Sequence, residues 1–236
     1  MKYIASVSFG KDSLAMLLML IEKNYPLDEV VFYDTGVEFR AVYDTRDKVK
    51  RELARRNIEF TELKPERTMF YDMFERPVKE RKGGGKHFGY SWCGGPCRWG
   101  TTAKMDALDR YCKDNLVYIG IAHDEHTRLE KERAENKVFP LADWGFTEGE
   151  ALLYCYQKGF YWEECGKPLY AILDRVSCWC CANKNLKELK NYYYYLPEYW
   201  EKLKDLQRRT DRPFKGKSGS IFNLEERFKN ESSKKD

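Results

Sequence analysis

The stretch YIASVSFGKDSLAMLLMLI, from Tyr3 to Ile21, decides the fold class. Tyr3 to Val7 is a short β-prone run, and Leu14 to Ile21 is apolar nearly all round, as expected of a buried helix. Gly10 lies between the two and permits a sharp turn. The order strand, loop, helix therefore places a turn with exposed N–H groups at a helix N-terminus, where an anion binds favourably.

Further apolar strands follow along the chain and alternate with helical segments. The predicted strands are Val30 to Tyr33, Phe60 to Leu63 and Val117 to Ile121, and the second predicted helix is Tyr43 to Arg56. Such alternation predicts a doubly wound α/β fold with a mostly parallel sheet, covered on both faces. Because ligands bind at the carboxyl ends of such strands, we expect the chemistry at Ser8, Asp34 and Gly120.

The chain divides by composition into three predicted parts. Residues 1–145 form the nucleotide-binding α/β core, and residues 146–210 form a helical C-terminal part that completes a cysteine site. The aromatic-rich segments Leu186 to Tyr195 and Pro197 to Arg208 are the helices of that part. Charged and small residues after about Arg208 predict a flexible tail over residues 211–236.

Overall composition limits the functional classes. The 42 basic and 38 acidic residues give a net charge of +4, which permits nucleic-acid binding without requiring it. No stretch approaches the roughly 20 apolar residues of a membrane span, and the N-terminus lacks an export signal. Eight cysteines that cluster at metal-ligand spacing suit a reducing compartment. We therefore expect a cytoplasmic protein that does not enter a membrane.

The loop Ser8-Phe9-Gly10-Lys11-Asp12-Ser13 has the chemistry of a phosphate cradle. Lys11 and the hydroxyls of Ser8 and Ser13 add donors to the backbone N–H groups. It is not a Walker A loop, because the first glycine of Gly-x4-Gly-Lys-Ser/Thr is missing both here and before Gly216-Lys217-Ser218. The simpler interpretation is an ordinary strand-to-helix turn capped by Asp12 or Ser13.

Three segments carry a family resemblance. Ser8 to Ser13 resembles the PP-loop, Ser-x-Gly-x-Asp-Ser, of the ATP pyrophosphatase superfamily. DTGVEF, from Asp34 to Phe39, and GIAHDE, from Gly120 to Glu125 and followed by Arg128, are similar to segments of the phosphoadenosine phosphosulfate (PAPS) reductase family. The segments occur in the expected order, and the resemblance covers roughly residues 1 to 185.

This resemblance implies an adenine nucleotide alpha hydrolase-like fold that binds ATP with Mg²⁺ and cleaves it between the α and β phosphates. The implied nucleotide-binding residues are Ser8, Phe9, Gly10, Lys11, Asp12, Ser13, Asp34, Thr35, Gly36 and Gly120. The implied catalytic residues are Lys11, Asp12, Glu125 and Arg128. The alternative interpretations are solvated charges at a strand end for Asp34 and Glu38, and a surface pair of small energetic value for Glu125 and Arg128.

Two short-spaced cysteine pairs form a second constellation. Cys93-x3-Cys97 and Cys178-x2-Cys181 lie about 80 residues apart, and two such pairs can close one tetrathiolate site for Zn²⁺ or an iron–sulfur cluster. Reductases of the family carry a [4Fe-4S] cluster on a similar layout, which implies a cluster slightly in preference to zinc, although their first two cysteines are adjacent. Cys180 is a spare thiol or replaces Cys181, and four reduced core thiols are the remaining interpretation.

The expected reaction is adenylation of an acceptor with release of pyrophosphate. Family reductases use a cysteine in a C-terminal Glu-Cys-Gly-x-His segment, whereas Glu164-Cys165-Gly166-Lys167 lacks the histidine and precedes Cys178. Relatives replace the AMP by sulfur or nitrogen, so the hypothesis includes sulfur transfer to a nucleic acid, with a sulfur donor protein as a partner. The alternatives are a sulfonucleotide reductase and a non-catalytic nucleotide-binding protein with a structural metal.

The segment Arg81 to His87 contains three consecutive glycines between basic residues. Glycine permits motion, and Arg81, Lys82 and Lys86 supply phosphate contacts. One interpretation is a mobile basic loop that closes over a phosphorylated or nucleic-acid substrate. The other is a solvated surface loop.

Overall fold

The computed structural model describes residues 1–80, 83–131 and 134–232. The strands, in chain order, are β1 (Tyr3–Ser6), β2 (Glu29–Tyr33), β3 (Glu59–Leu63), β4 (Pro77–Lys79), β5 (Lys86–Phe88), β6 (Leu116–Ile119), β7 (Lys137–Val138), β8 (Glu163–Glu164) and β9 (Lys167–Pro168). The helices are α1 (Lys11–Glu22), α2 (Arg40–Arg55), α3 (Met69–Phe74), α4 (Lys104–Tyr111), α5 (His126–Leu129), α6 (Pro140–Asp143), α7 (Glu148–Gln157), α8 (Leu169–Ile172), α9 (Leu186–Tyr195), α10 (Pro197–Arg208) and α11 (Ile221–Ser232). A π-helical turn spans Arg98–Ala103, and a 3-10 turn spans Gly216–Ser218.

The chain folds as two compact units. The first holds the described residues of Met1–Asp34, Phe39–Lys64 and Ala103–Trp162. The second holds the described residues of Thr35–Glu38, Pro65–Thr102 and Glu163–Asp236. This division differs from the predicted boundaries after residues 145 and 210, because Pro65–Thr102 groups with the C-terminal part and α7 groups with the sheet.

A parallel sheet with the order β3-β2-β1-β6-β7 forms the centre of the first unit. Ala5 pairs with Val30 on one side and with Tyr118 on the other. All five residues of β2 are buried, which explains the apolar run from Val30 to Tyr33, while the buried Glu29 carboxylate pairs with Lys2 Nζ at 3.0 Å. The doubly wound α/β prediction is confirmed, as is the helical C-terminal part. The strand order reverses between β1 and β6, and this switch point is where such folds bind ligands.

Each face of this sheet has its own helical cover. On one face, Ile4, Val31 and Val117 pack in a buried cluster with Leu108 and Cys112 of the α4 region. Helix α1, whose middle is almost wholly buried, packs on α7. The near-continuous apolar run of α1 is therefore required by burial on nearly all sides.

Helices α9, α10 and α11 form the aromatic core of the second unit. Trp200 of α10 packs against Phe228 of α11 at 5.9 Å between ring centroids, and Tyr192 and Leu203 are fully buried. The predicted flexible tail over residues 211–236 is therefore wrong for residues 221–232, which form α11, while residues 233–236 lie outside the described part. Ile221, Leu224 and Phe228 recur at helical spacing and are buried, a periodicity that average composition conceals.

The glycine-rich segment is also more ordered than predicted where the structure describes it. Lys86 and His87 belong to β5, which pairs antiparallel with β4. They are therefore strand residues rather than loop residues, while Arg81 and Lys82 lie outside the described residues. Among the residues described, no helix combines the length and the apolar character that crossing a bilayer requires.

Candidate functional site

The phosphate loop connects β1 to α1 and closes on itself through its serines. The Ser8 N–H donates to Ser13 Oγ at 3.1 Å, the two hydroxyls lie 3.1 Å apart, and Ser13 Oγ donates to the Gly10 carbonyl at 3.2 Å. Because the N-cap residue is Gly10, it has no side chain to accept from the first N–H groups of α1. The loop thus presents two hydroxyls beside a helix N-terminus with its positive dipole end.

Phe9 anchors this loop to the core of the first unit. Its φ of +58° is uncommon for a bulky residue, and its fully buried ring lies 5.1 Å from the ring of Phe32. The Phe9 carbonyl accepts a hydrogen bond from Trp162 Nε1 at 2.8 Å. The side chain of this predicted nucleotide-binding residue is therefore an anchor for the loop, so any contact with a nucleotide would come from its backbone.

Gly120, at the end of β6, touches the same loop. A Cβ at Gly120 would lie 2.6 Å from Ser13 Cα and 2.7 Å from Ser13 N, closer than packed atoms approach. Only glycine lets the end of β6 approach the first turn of α1 this closely at the switch point. The structure thus joins two sequence motifs that are more than 100 residues apart.

Charged side chains surround Lys11. Its Nζ lies 2.8 Å from Asp12 Oδ1 and 2.9 Å from Glu148 Oε1. Burial raises the pKa of the Asp12 carboxyl, an effect that the hydrogen bond from Lys11 opposes. Oxygen atoms of Asp12, Glu125 and Glu148 all lie within 4.8 Å of one another, and carboxylate oxygens are the ligands that Mg²⁺ prefers. These residues fit a divalent cation beside the loop.

Sequence reasoning missed Glu148. The capping box of Thr147 and Glu150 marks the start of α7, but no local pattern connects that start with a loop 137 residues away. Glu125 and Arg128, both predicted to be catalytic, form an i,i+3 pair with Arg128 Nη1 at 3.1 Å from Glu125 Oε1. Glu125 Oε2 also accepts from the Ala122 N–H, so this pair is attached to the turn that follows β6.

A cavity of about 680 Å³ opens beside the phosphate loop. Its lining runs from Ser8, Ser13 and Gly120 to the apolar side chains of Leu108 and Val117. The cavity wall carries charges of both signs: Lys104, Lys113, Arg128 and Lys137 are cationic, and Asp109, Asp114 and Glu135 are acidic. The volume is in the range of small-molecule sites, and the lining combines hydroxyls, cations and an apolar surface as a nucleotide requires.

The predicted DTG motif is divided between the two units. Asp34 follows β2 in the first unit, where it is buried and accepts a hydrogen bond from the Tyr43 hydroxyl at 2.7 Å. Thr35 and Gly36 belong to the second unit, where Thr35 Oγ1 donates to Glu38 Oε1 at 2.8 Å. The interpretation of Asp34 as a solvated charge is therefore wrong, because its carboxylate is buried and hydrogen-bonded.

Both cysteine pairs lie in the second unit, and hydrogen bonds connect their loops. The Gly95 N–H donates to Asn183 Oδ1 at 2.7 Å, and Asn183 Nδ2 donates to the Gly95 carbonyl at 2.8 Å. A Cβ at Gly100 would lie 3.6 Å from Cys178 Sγ and 3.9 Å from Cys97 Sγ, so these two sulfurs flank one point. The fold thus brings together segments that are about 80 residues apart in sequence.

The chemistry of this candidate metal centre is that of soft thiol donors. Burial, with the neighbouring Cys93 sulfur, raises the pKa of Cys97. Cys178 Sγ lies 3.8 Å from Thr35 Oγ1. Among the described cysteines, no three sulfurs lie within 4.8 Å of one another. Four thiols on two linked loops fit an iron–sulfur cluster or, with a modest contraction, zinc.

The other cysteines have different surroundings. Cys112 and Cys155 are buried, as expected of core residues, and burial raises the pKa of the two thiols to about 11 and about 12. Cys180 is 1% exposed, and burial raises its pKa well above the usual value. Cys165 is exposed in the turn between β8 and β9, and burial together with Glu198 and Glu164 raises its pKa. None of these environments activates a thiolate.

Comparison with known proteins agrees with the geometry. The family model described as "Phosphoadenosine phosphosulfate reductase domain" matches residues 2–157. The uncharacterized protein MJ0973 of Methanocaldococcus jannaschii is 28% identical over 232 residues, which cover 86% of this chain and 47% of that protein. The uncharacterized protein MJ0066 of the same organism is 24% identical over 227 residues, which cover 87% of this chain and 41% of that protein. The chain thus spans less than half the length of these curated relatives.

Proposed function

Because the chain belongs to the phosphoadenosine phosphosulfate reductase domain family, we propose that it binds ATP with Mg²⁺ and adenylates an acceptor. The observation that carries this proposal is the contact of Gly120 with Ser13 at the switch point. It brings the end of β6 against a loop whose two serine hydroxyls lie beside the N-terminus of α1. Phosphate oxygens are the ligands for which this arrangement is suited.

The proposed reaction transfers the adenylyl group. An acceptor oxygen forms a bond to the α-phosphorus, and the bond from that phosphorus to the bridging oxygen breaks, with its electron pair leaving on pyrophosphate. Lys11 would stabilise the negative charge that develops on the phosphates in the transition state, because charge-assisted hydrogen bonds are the strongest. Arg128, on the wall of the cavity, would place a second cation near the reacting groups.

The acidic residues near the loop would hold the cation. Asp12, Glu125 and Glu148 supply the oxygen ligands, and bound Mg²⁺ would supply charge neutralisation at the phosphates. Lys11 forms ion pairs with Asp12 and Glu148, so nucleotide binding would replace one of these carboxylate partners with a phosphate.

We further propose that Cys93, Cys97, Cys178 and Cys181 hold a [4Fe-4S] cluster rather than zinc. In tetrahedral zinc sites, bonds of about 2.3 Å place the sulfurs roughly 3.8 Å apart. No three of the described sulfurs lie within 4.8 Å of one another, so they do not form a ready-made tetrahedral zinc site. A cluster and an activated acceptor together suit a sulfur-transfer reaction, for which a separate protein would donate the sulfur.

The environment of Cys165 argues against the reductase alternative. A thiolate that attacks sulfur needs nearby positive charge or a helix N-terminus. Cys165 instead lies in a tight turn where burial, and after it two glutamates, raise its pKa. Thiol-dependent sulfite release from a sulfonucleotide, lost in Cys165→Ser, would contradict the adenylation proposal.

The decisive experiment locates the bond that is cleaved. Protein purified without oxygen is analysed for metal content and absorption spectrum, and is then incubated with ATP labelled in the α or the γ phosphate and with candidate acceptors. We expect labelled pyrophosphate from γ-labelled ATP and an adenylylated product or AMP from α-labelled ATP. Lys11→Ala serves as the control and should lose this activity. Release of ADP, or binding without any turnover, would reject the proposed reaction.

A further inference from the structure

The antiparallel ribbon of β4 and β5 presents an unusual face to solvent. Pro77 is opposite Phe88, Val78 opposite His87, and Lys79 opposite Lys86. Paired residues share a face, and faces alternate along a strand. Val78 and His87 are half-buried, so the other two pairs face outward, and all four of their residues are exposed. We call this face, formed by Pro77, Lys79, Lys86 and Phe88, the ribbon surface.

Folding stability does not explain the ribbon surface. Two like charges placed directly opposite each other destabilise a strand pair, and neither Lys79 nor Lys86 forms an ion pair with a carboxylate among the described residues. Phe88 is 74% exposed, which forfeits the free energy that burial of its ring would supply. A two-stranded ribbon is itself of marginal stability. An anionic partner with a flat apolar face would neutralise the two lysines, cover the Phe88 ring and so stabilise the ribbon.

Further cations and an aromatic ring lie where the ribbon joins the rest of the second unit. The Gly89 N–H donates to the Arg76 carbonyl at 2.8 Å and so extends the pairing. The Arg98 guanidinium, which is exposed, lies 3.8 Å from the centroid of the Tyr90 ring. Arg212 Nη1 donates to the Tyr90 carbonyl at 3.1 Å. Cations and aromatic rings thus lie close together from β5 to Tyr90, with Lys86 and Phe88 on the strand and the Arg98 guanidinium stacked on Tyr90 just beyond it.

The acidic residues near the ribbon offset only part of its positive charge. The Glu80 carboxylate lies against Gly85, where a Cβ would be 2.8 Å from its Oε2. Glu75 pairs with Arg209 at 3.0 Å, and Asp72 pairs with Arg76 at 3.3 Å. Glu80 offsets one of the three positive charges of Lys79, Lys86 and Arg98, so the ribbon surface and its base keep a net positive charge.

We propose that the ribbon surface binds single-stranded nucleic acid. Lys79 and Lys86 contact phosphates, and Phe88 stacks on a base, since proteins hold single strands with cationic side chains for the backbone and aromatic rings for the bases. A duplex would leave Phe88 without an unstacked base, and an acidic peptide would lack a flat ring to cover it. That the bound strand is the acceptor of the adenylyl group rests on the proposed function, whereas the binding does not.

The test measures binding of a fluorescein-labelled 12-nucleotide oligouridylate to the full chain by fluorescence anisotropy, between 50 and 200 mM salt. Phe88→Ala should weaken binding by about 5- to 150-fold, and Phe88→Trp should retain it. Lys79→Ala with Lys86→Ala should reduce the slope of log K against log salt by about 1.4, as the loss of two phosphate contacts requires. Because all three residues are exposed, unchanged circular dichroism and melting temperature will show that the variants fold.

The matched control changes net charge equally elsewhere. Lys187→Ala with Lys217→Ala removes two exposed lysines of the same unit and should leave the slope unchanged. The proposal would be overturned if this control reduced the slope equally, or if the unaltered protein did not bind the oligonucleotide. It would also be overturned if poly-glutamate displaced the oligonucleotide at equal charge. ATP titration in parallel separates the two ideas: oligonucleotide binding that depends on Phe88, without ATP binding, rejects adenylation and leaves the ribbon surface supported.

Discussion

Lys11 Nζ in the phosphate loop lies 2.9 Å from Glu148 Oε1 at the first turn of α7. This contact opposes phosphate binding in one respect, because a carboxylate occupies a donor that the nucleotide would use. It assists in another, because Glu148 lies with Asp12 and Glu125 in a group of oxygens suited to Mg²⁺. The two effects have opposite dependence on the cation and can therefore be separated.

Glu148→Gln should make ATP binding less dependent on Mg²⁺. Without the cation, removal of a carboxylate near the triphosphate should tighten binding several-fold, since like charges repel. With Mg²⁺, loss of a ligand should weaken binding. The ratio of the Kd without Mg²⁺ to the Kd with Mg²⁺ should therefore fall. Calorimetric titration with and without Mg²⁺ measures both. Glu226→Gln, at an exposed position in α11, is the control for lost charge, and an equal change there would refute the assignment of Glu148.

Gly120→Ala should damage the phosphate loop. The added Cβ would meet the Ser13 backbone at 2.6 Å, so the end of β6 or the start of α1 must shift. We expect a loss of about 1–3 kcal/mol in the free energy of unfolding, typical of overpacking, and a loss of ATP binding. Urea denaturation and ATP titration measure the two effects.

Gly149→Ala is the matched control for that substitution. Gly149 is also a glycine of the first unit, but a Cβ there meets nothing within 4 Å, and the residue lies in α7. Alanine should be neutral or slightly stabilising there because of its helix propensity. If Gly120→Ala behaved like Gly149→Ala, the close contact at the switch point would not be what positions the loop.

Local sequence predicts the phosphate loop because its hydrogen bonds, such as Ser8 to Ser13, join residues five apart. The same holds for the sheet, whose strands are marked by their own apolar residues. Glu148 could not be predicted, because its contact with Lys11 depends on how α7 packs against α1. Likewise, the pairing of Lys79 with Lys86 depends on the register of a ribbon, which glycine-rich sequence does not specify.

Loss of one ligand should remove the metal and destabilise the second unit. Cys93→Ser and Cys178→Ser should each contain less than half of the metal of the unaltered protein, because binding is coupled to folding of the two loops. Anaerobic metal analysis, the visible absorption spectrum and thermal melting report the outcome. Cys165→Ser, which changes an exposed thiol in a turn of the same unit, should retain both metal and stability. Full metal content in Cys93→Ser would disprove the shared site.

Asp12→Asn should change the pH dependence of stability in a defined direction. Burial raises the pKa of Asp12 in the folded protein, so the folded state holds this proton more tightly than the unfolded state. The stability that this group contributes is present below its unfolded pKa and is lost as pH rises through its folded pKa. Asparagine has no such titration. The variant should therefore gain stability relative to the unaltered protein as the pH rises from 4 to 7. The altered contact with Lys11 changes the free energy of unfolding by the same amount at each pH and does not affect this trend.

Glu22→Gln is a control for which the expected change has the opposite sign. Hydrogen bonds from Lys158 and Tyr154 lower the pKa of Glu22, so its contribution to stability is present above the unfolded pKa and is lost as pH falls. This variant should lose stability relative to the unaltered protein over the same rise in pH. Urea unfolding at pH 4, 5, 6 and 7 measures both differences. If the stability differences of both variants changed with pH in the same direction, burial would not be raising the pKa of the Asp12 carboxyl. This reason to regard Asp12 as a cation ligand would then be lost.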